Sequence, residues 1–230
     1  MQKQRQSTPF ITSRDFLKLI FTSSQQWNKE SGFDAFCTYL HKHIFNNLGH
    51  VFAEIYFPAS DDGTFLPYTL TSEKVSRERA SHIPSHLDLQ EPSLATLVNQ
   101  FTSVVFIDSV EIPSFFINTG NRSNALFPIV LDNSTAAILY VGSPAPIPFP
   151  DDYLLGLQTL AGTINSWMKS LKDISHLQSS MTSLEYSEQL RRVLYEINEQ
   201  AHLVSTTEEL YTSLHNIVGQ LINARNFLLP

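Results

Sequence analysis

Apolar residues between positions 10 and 27 fall at helical spacing and predict a helix with Phe16, Leu17, Ile20 and Phe21 on one side. A second helix is predicted over residues 32–48, where Phe33, Phe36, Leu40, Ile44 and Leu48 recur at steps of three and four. Gly49 follows where a left-handed cap is needed. The period then changes. Residues 51–57 read as a strand, residues 58–63 as a turn, and residues 64–71 as the second arm of a hairpin. Residues 72–90 are polar and interrupted by Pro84, so they read as a loop or short helix. Residues 91–100, with Pro92 in the first turn, predict a helix, and residues 102–108 a third strand. Residues 109–123 are irregular, with Pro113, Phe115, Phe116 and Gly120. Residues 124–131 and 135–142 form a second hairpin around Asp132-Asn133-Ser134. Helices before, between and after these strands predict an α+β sandwich whose sheet is covered by helices on at least one face. Residues 10–165 suffice to bury such a core.

No proline occurs between Pro150 and Pro230, and this stretch predicts a long helix. Pro148, Pro150, Asp151 and Asp152 suit its start. Proline lacks an N–H that would go unsatisfied there, and the carboxylates face the positive helix end. Leu157, Leu160, Ile164, Trp167, Leu171 and Ile174 alternate steps of three and four, the seam of a coiled coil. Leu177, Met181 and Leu184 continue it after two successive steps of three, a discontinuity that overwinds a supercoil locally. Leu190, Leu194, Ile197 and Ala201 resume the seam after a polar gap. The segment from Leu157 to Ile164 either packs on the sheet of its own domain or joins the seam. The segment from Leu171 to Leu184 lies roughly 20–40 Å farther along, at about 1.5 Å per residue, beyond that sheet. Trp167, Leu171, Ile174, Leu177, Met181 and Leu184 are therefore expected to join two copies as a parallel homodimer.

Composition narrows the classes. The 230 residues are 42% hydrophobic and 16% charged, as in a folded chain of one or two domains. A net charge of −7, without a Lys/Arg cluster, disfavours nucleic acid. The single cysteine, Cys37, excludes an intramolecular disulfide and fits a reducing compartment. Neither a signal-peptide segment nor a run of about 18 apolar residues occurs. The expectation is a cytoplasmic protein with no membrane contact within these residues.

The segments Arg-Ser-Asn-Ala-Leu-Phe-Pro-Ile-Val at 122–130, Ala-Ala-Ile-Leu-Tyr-Val-Gly-Ser at 136–143 and Phe-Pro-Asp-Asp at 149–152 carry a family pattern. They resemble the C-terminal half of a GAF domain, which runs R-S-x-x-x-x-P-L, x-x-G-x-L-x-x-x-S and F-T/S-x-x-D. The helix and strand of residues 91–108 match as well. The likeness covers about residues 12–165, with a poorly matched loop at 72–90, and with Ala136-Ala137 where many members carry glycine. Residues 190–198, 208–211 and 214–227 resemble the first two helices of another GAF domain. The resemblance implies a PAS-related antiparallel sheet of about five to six strands flanked by helices, followed by a long C-terminal signalling helix. The expected organisation is a tail (1–11), a GAF-like sensor domain (12–165), a coiled-coil signalling helix (166–205) and the truncated start of a second GAF-like domain (206–230), in a piece of a longer bacterial sensor.

The family's cavity lies between the sheet and the loops 72–100 and 109–123. By that resemblance Phe52, Tyr56, Phe106, Phe115, Phe116, Arg122 and Asn124 are the ligand-contacting residues. Arg122 and Asn124 have the stronger claim, as polar residues at a strand start that can address a carboxylate or an amide.

Catalytic and metal chemistry find little footing. Asp61-Asp62 and Asp151-Asp152 suit a turn and a helix start. His41 and His43, two apart on a helix, point to different sides and do not converge with His50 on one ion. Pro84 spoils a helix that would align His82 with His86. Cys37 reads as a small core residue, and His176 as a solvated helix position. The cysteine of bilin-binding relatives and the Asn-Lys and Asp-Glu pairs of cyclic-nucleotide binders have no counterpart at the matching places. No catalytic residue, metal ligand or cofactor is predicted. The expected function is a non-catalytic sensory and dimerisation module that relays the state of an unidentified small molecule to a histidine kinase or diguanylate cyclase output domain. The alternatives are a ligand-free structural spacer and, less favoured, a haem or tetrapyrrole binder.

Overall fold

The structure, a computed structural model, describes residues 10–27, 32–59, 63–68, 81–94, 97, 100–107, 113–145, 147–203 and 207–222. The predicted polar stretch 72–80, Asp61-Asp62 and Asp108 lie outside the described residues. The chain divides into two compact units, Met1–Leu171 and Lys172–Pro230.

Helix α1 (Ser13–Gln26) opens on Thr12, whose hydroxyl accepts from the Asp15 N–H at 3.2 Å and donates to the Asp15 carboxylate at 2.7 Å. Its buried face is Phe16, Ile20 and Ser23. Leu17 and Phe21, expected beside them, are exposed, and the contact with the core is completed by Trp27 and the half-buried Leu19. Helix α2 (Gly32–Tyr39) continues into a π turn (Leu40–Ile44) and a 3-10 turn (Phe45–Asn47). That irregular end places Leu40, Ile44, Phe45 and Leu48 all in the core. Phe33 is the member of the predicted stripe that stays exposed, edge-on to Phe57. Gly49 takes a left-handed φ of 92° after the last turn, as its position in the sequence requires.

Strands β1 (Phe52–Pro58), β2 (Thr64–Pro67), β3 (Leu87–Asp88), β4 (Val104–Ile107), β5 (Ser123–Leu131) and β6 (Ser134–Ser143) form one antiparallel sheet in the order β3-β2-β1-β6-β5-β4. β3 is a two-residue strand inside the stretch expected to be a loop or short helix. Of the helix expected over residues 91–100, the described residues show a 3-10 turn at Pro92–Leu94 and helical backbone at Leu97 and Gln100. β5 and β6 join through Asp132 and Asn133, both at positive φ, the two-residue turn whose twist matches antiparallel strands.

One face of the sheet, through Ala53, Ile55, Phe127, Leu139 and Val141, packs on α1, α2 and the start of helix α3 (Asp151–Leu203). Tyr153 of α3 donates to the Leu48 carbonyl at 2.9 Å, satisfying an acceptor near the end of the α2 segment. At Gly156 a Cβ would sit 2.9 Å from the Phe16 ring, so glycine lets α3 lie close against α1. Leu157, Leu160, Ile164, Trp167 and Met168 are buried in this core. The choice left open by their spacing is decided: the segment from Leu157 to Ile164 packs on its own domain. Trp167, expected at the dimer seam, belongs to the same core, with its ring edge-on to Phe36 at 6.3 Å, and Leu171 packs against that core too. The two first seam positions are thus covered by their own chain. In the second unit, α3 runs on to Leu203 and α4 spans Thr207–Ile222. Val193 and Ile217 are the buried apolar residues described there. No described helix is long and apolar enough to cross a membrane.

Candidate functional site

The second face of the sheet carries its own core. Tyr56, Phe106, Leu126, Ile138 and Tyr140 of the strands share this core with Leu87 of β3 and with Ile83, Leu94, Leu97 and Phe116 in the covering chain. Strand alternation explains the split: Tyr56 and Tyr140 share a face with Phe52, while Ala53, Ile55 and Val141 turn to the helices.

Residues 81–86 cross this face as a strap. Tyr56 Oη donates to the Pro84 carbonyl at 2.5 Å, and Asn121 Nδ2 donates to the His82 carbonyl at 2.7 Å. Asn121 Nδ2 also donates to Tyr140 Oη at 2.7 Å, and Tyr140 Oη donates to Asn124 Oδ1 at 2.9 Å. The His82 imidazole lies parallel to the Phe52 ring, with centroids 4.1 Å apart. Burial holds both phenols protonated. It raises Tyr56 well above the usual phenol value, helped by Tyr140 and Glu54, and it raises Tyr140 against the opposing pull of hydrogen bonds from Asn121 and Thr119. Gly142, two residues on from Tyr140, completes the fit: a Cβ there would collide with Tyr140 Oη and Asn121 Nδ2.

This network is not closed. His82 Nδ1, Asn121 Oδ1 and Asn124 Nδ2 are buried without a hydrogen-bond partner. Leaving such a group unpaired costs about 1–3 kcal/mol, so three around one hydroxyl stand out from ordinary core. Beside them opens a cavity of about 340 Å³, lined by Ser81, Ile83, Pro84, Ser85, His86, Ser114, Phe115, Asn118 and Thr119. It shares walls with the network, since Ser81 and Ile83 flank His82, and the Asn121 N–H donates to Thr119 Oγ1 at 3.3 Å. A smaller hollow of about 190 Å³ lies on the helical face, between β5 and α3 around Phe127, Pro128 and Gly162.

Of the residues expected from the sequence, Phe52, Tyr56, Phe106, Phe115, Phe116 and Asn124 gather on this face. Phe115 alone of these lines the cavity, while Tyr56 and Phe116 are buried core. Arg122 departs from the expectation: its side chain is exposed, and its backbone N–H pairs with the Ser143 carbonyl at 2.8 Å. Asn121, Tyr140 and His82 were not anticipated. The pair Tyr140 and Gly142 on one strand face held a signal of a large side chain beside a vacancy. Asn121 sat in chain with no periodicity to place it, and His82 was weighed only as a metal ligand.

The remaining candidates take structural partners. His41 Nε2 lies 2.9 Å from the buried Glu54 carboxylate, which also accepts from the Ile55 N–H at 2.9 Å, and His43 stacks on Tyr39. His86 lies near Ser85 and Phe115. Among the described residues, no three His, Cys, Asp or Glu side chains gather as a metal-binding set. Cys37 is fully buried, and burial, followed by the charges of Asp34 and Glu54, pushes its thiol pKa far up.

A six-stranded antiparallel sheet carries helices on one face and strapped loops over the other. Its fold is GAF-like. A protein from Burkholderia vietnamiensis described as a GAF sensor superposes with a TM-score of 0.51 at 14% identity, over 75% of this chain and 99% of that one. fRMsr of Staphylococcus aureus, in its reduced form, superposes at 0.49 with 13% identity over 70% and 98% of the two chains. The GAF domain of a phosphoenolpyruvate-protein phosphotransferase from Coxiella burnetii gives 0.46 and 11% over 75% and 99%. No family model matches the sequence, and no curated protein matches it either. Fold does not specify chemistry, so function rests on the site.

Proposed function

We propose that the first unit is a non-catalytic sensory domain that binds a small molecule beneath the strap 81–86, and that the second unit pairs with a second copy of the chain to relay the bound state to an output domain. The observation that carries the sensory reading is the open network: Asn124 and Asn121 are buried with hydrogen-bonding atoms left over, beside a cavity in the size range of ligand sites. The site faces argue against catalysis by this chain. The one thiol is buried and held protonated, and among the described residues the cavity wall carries a single titratable side chain, His86, 3.1 Å from the Ser85 hydroxyl and with no carboxylate in the same lining.

Pairing is favoured by what α3 leaves uncovered. Ile174 is half-buried, but Leu177, Met181 and Leu184 are 64%, 60% and 70% exposed on one helix at seam spacing. A partner helix is the natural cover for such a stripe, and a kinase or cyclase of a bacterial signalling chain the natural recipient. The ligand-free spacer is a second reading, favoured by Tyr56, Phe116 and Tyr140 filling this face of the sheet.

Native mass spectrometry of the purified chain separates the readings, because a retained small molecule supports sensing and a bare protein mass supports the spacer. Absorbance in the visible range reports a tetrapyrrole at once. Light scattering on the 230-residue chain is expected to give a dimer, and on the variant with serine at 177, 181 and 184 a monomer; a monomer in both ends the pairing.

A further inference from the structure

We propose that the ligand under the strap is a neutral molecule carrying a carboxamide- or lactam-like edge, an acceptor beside a donor, and that the site discriminates against the matching carboxylate. This rests on the sensory reading and names the chemistry of its ligand.

The hydrogen-bond pattern fixes which atoms are left over. Asn121 places one amide nitrogen 2.7 Å from both the His82 carbonyl and Tyr140 Oη. An oxygen turned to that position would face the carbonyl, so the nitrogen belongs there and Oδ1 is the free atom. Tyr140 accepts from Asn121 and has a single hydrogen to give; of its two acceptors, Asn124 Oδ1 at 2.9 Å and the His82 carbonyl at 3.3 Å, the nearer takes it. Asn124 therefore keeps its Nδ2 as a free donor. Each leftover atom is one amide group away from the same phenolic oxygen. Asn124 is 0% exposed and Asn121 8%, so bulk water does not reach them.

An incoming amide meets both needs: its carbonyl accepts from Asn124 Nδ2 and its N–H donates to Asn121 Oδ1. A carboxylate has no hydrogen for Asn121 Oδ1, and among the described residues no Lys or Arg side chain meets it, because Arg122 is exposed. An ammonium has no acceptor for Asn124, and the buried carboxylate of Glu54 is engaged by His41 and the Ile55 N–H.

The test uses the 230-residue chain and two isosteric pairs, acetamide with acetate and nicotinamide with nicotinate, followed by NMR titration of the asparagine side-chain amides. At least one amide is expected to shift the Asn121 and Asn124 signals and to bind at least tenfold more tightly than its carboxylate. Asn124→Leu is expected to abolish the response; if that variant does not fold, the wild-type side-chain signals carry the test. Equal or tighter binding of the carboxylates overturns the ligand class and leaves the sensory reading standing. No response to either amide, with a slowly exchanging water on both asparagines, also overturns it, since water then completes the network. The sensory reading fails separately, if the protein retains no small molecule in native mass spectrometry.

Discussion

The hydroxyl of Tyr140 occupies the space that a side chain at position 142 would need, so Gly142 and Tyr140 form one fitted pair on the same face of β6. The sheet thereby holds a phenol at the centre of the polar network while two neighbouring amides reach it from β5 and from the turn before it.

Gly142→Ala is expected to destabilise the protein by about 1–3 kcal/mol, the usual range for overpacking a full core. Urea unfolding followed by circular dichroism measures it. The added methyl must also move Tyr140, so the loss of stability is expected to come with altered side-chain amide signals of Asn121 and Asn124. Unchanged signals would mean that the pair is not as closely fitted as described.

Glu54 is a fully buried carboxylate held by His41 and the Ile55 N–H. Glu54→Ala is expected to cost about 3 kcal/mol, because it leaves buried partners unpaired. Glu54→Gln keeps an acceptor for Ile55 and is expected to cost less. A double-mutant cycle with His41→Ala is expected to show a coupling of about 0.5–3 kcal/mol; additive losses would place the energy outside the pair.

Stability is expected to fall at alkaline pH. Tyr56, Tyr140 and Tyr153 have folded-state pKa values raised by burial, while in the unfolded chain they ionise near pH 10. Their stabilisation is complete below about pH 10. Above it the unfolded state sheds protons that the folded state keeps, so ΔG of unfolding drops by up to about 1.4 kcal/mol per pH unit for each fully protonated phenol. Absorbance at the phenolate band is expected to show these three of the eight tyrosines ionising only as the protein unfolds.

The thiol of Cys37 is expected to be silent towards disulfide reagents in the native protein and to react fully after denaturation. Its buried place and raised pKa withhold both access and thiolate. Rapid labelling of the folded protein would contradict this placement.

The long helices were legible because their residues repeat with a period, as Phe36, Leu40 and Ile44 mark one helix face, and β1, β5 and β6 because short apolar runs stand between turn residues. β3 was not, since two residues hold no period and their strand exists only by pairing Leu87 with Phe65. The aromatic side chains that gather on the second face of the sheet were named through the family resemblance. The polar members outside it were not, because Asn121 lies in irregular chain and meets Tyr140 only when β5 and β6 pair.

By itself the sequence determined what local forces govern: where helices begin and end, which strands turn back at Asp132 and Asn133, and that α3 carries an apolar stripe. The tertiary structure decided how far each stripe is consumed. It drew Trp167 and Leu171 into the core of their own chain, left Leu17 and Phe21 in solvent, and brought His82, Asn121 and Asn124 round one hydroxyl. Spacing fixes the direction of a side chain relative to its own backbone. Which surface stands opposite depends on residues far away in the chain, and only packing brings them together.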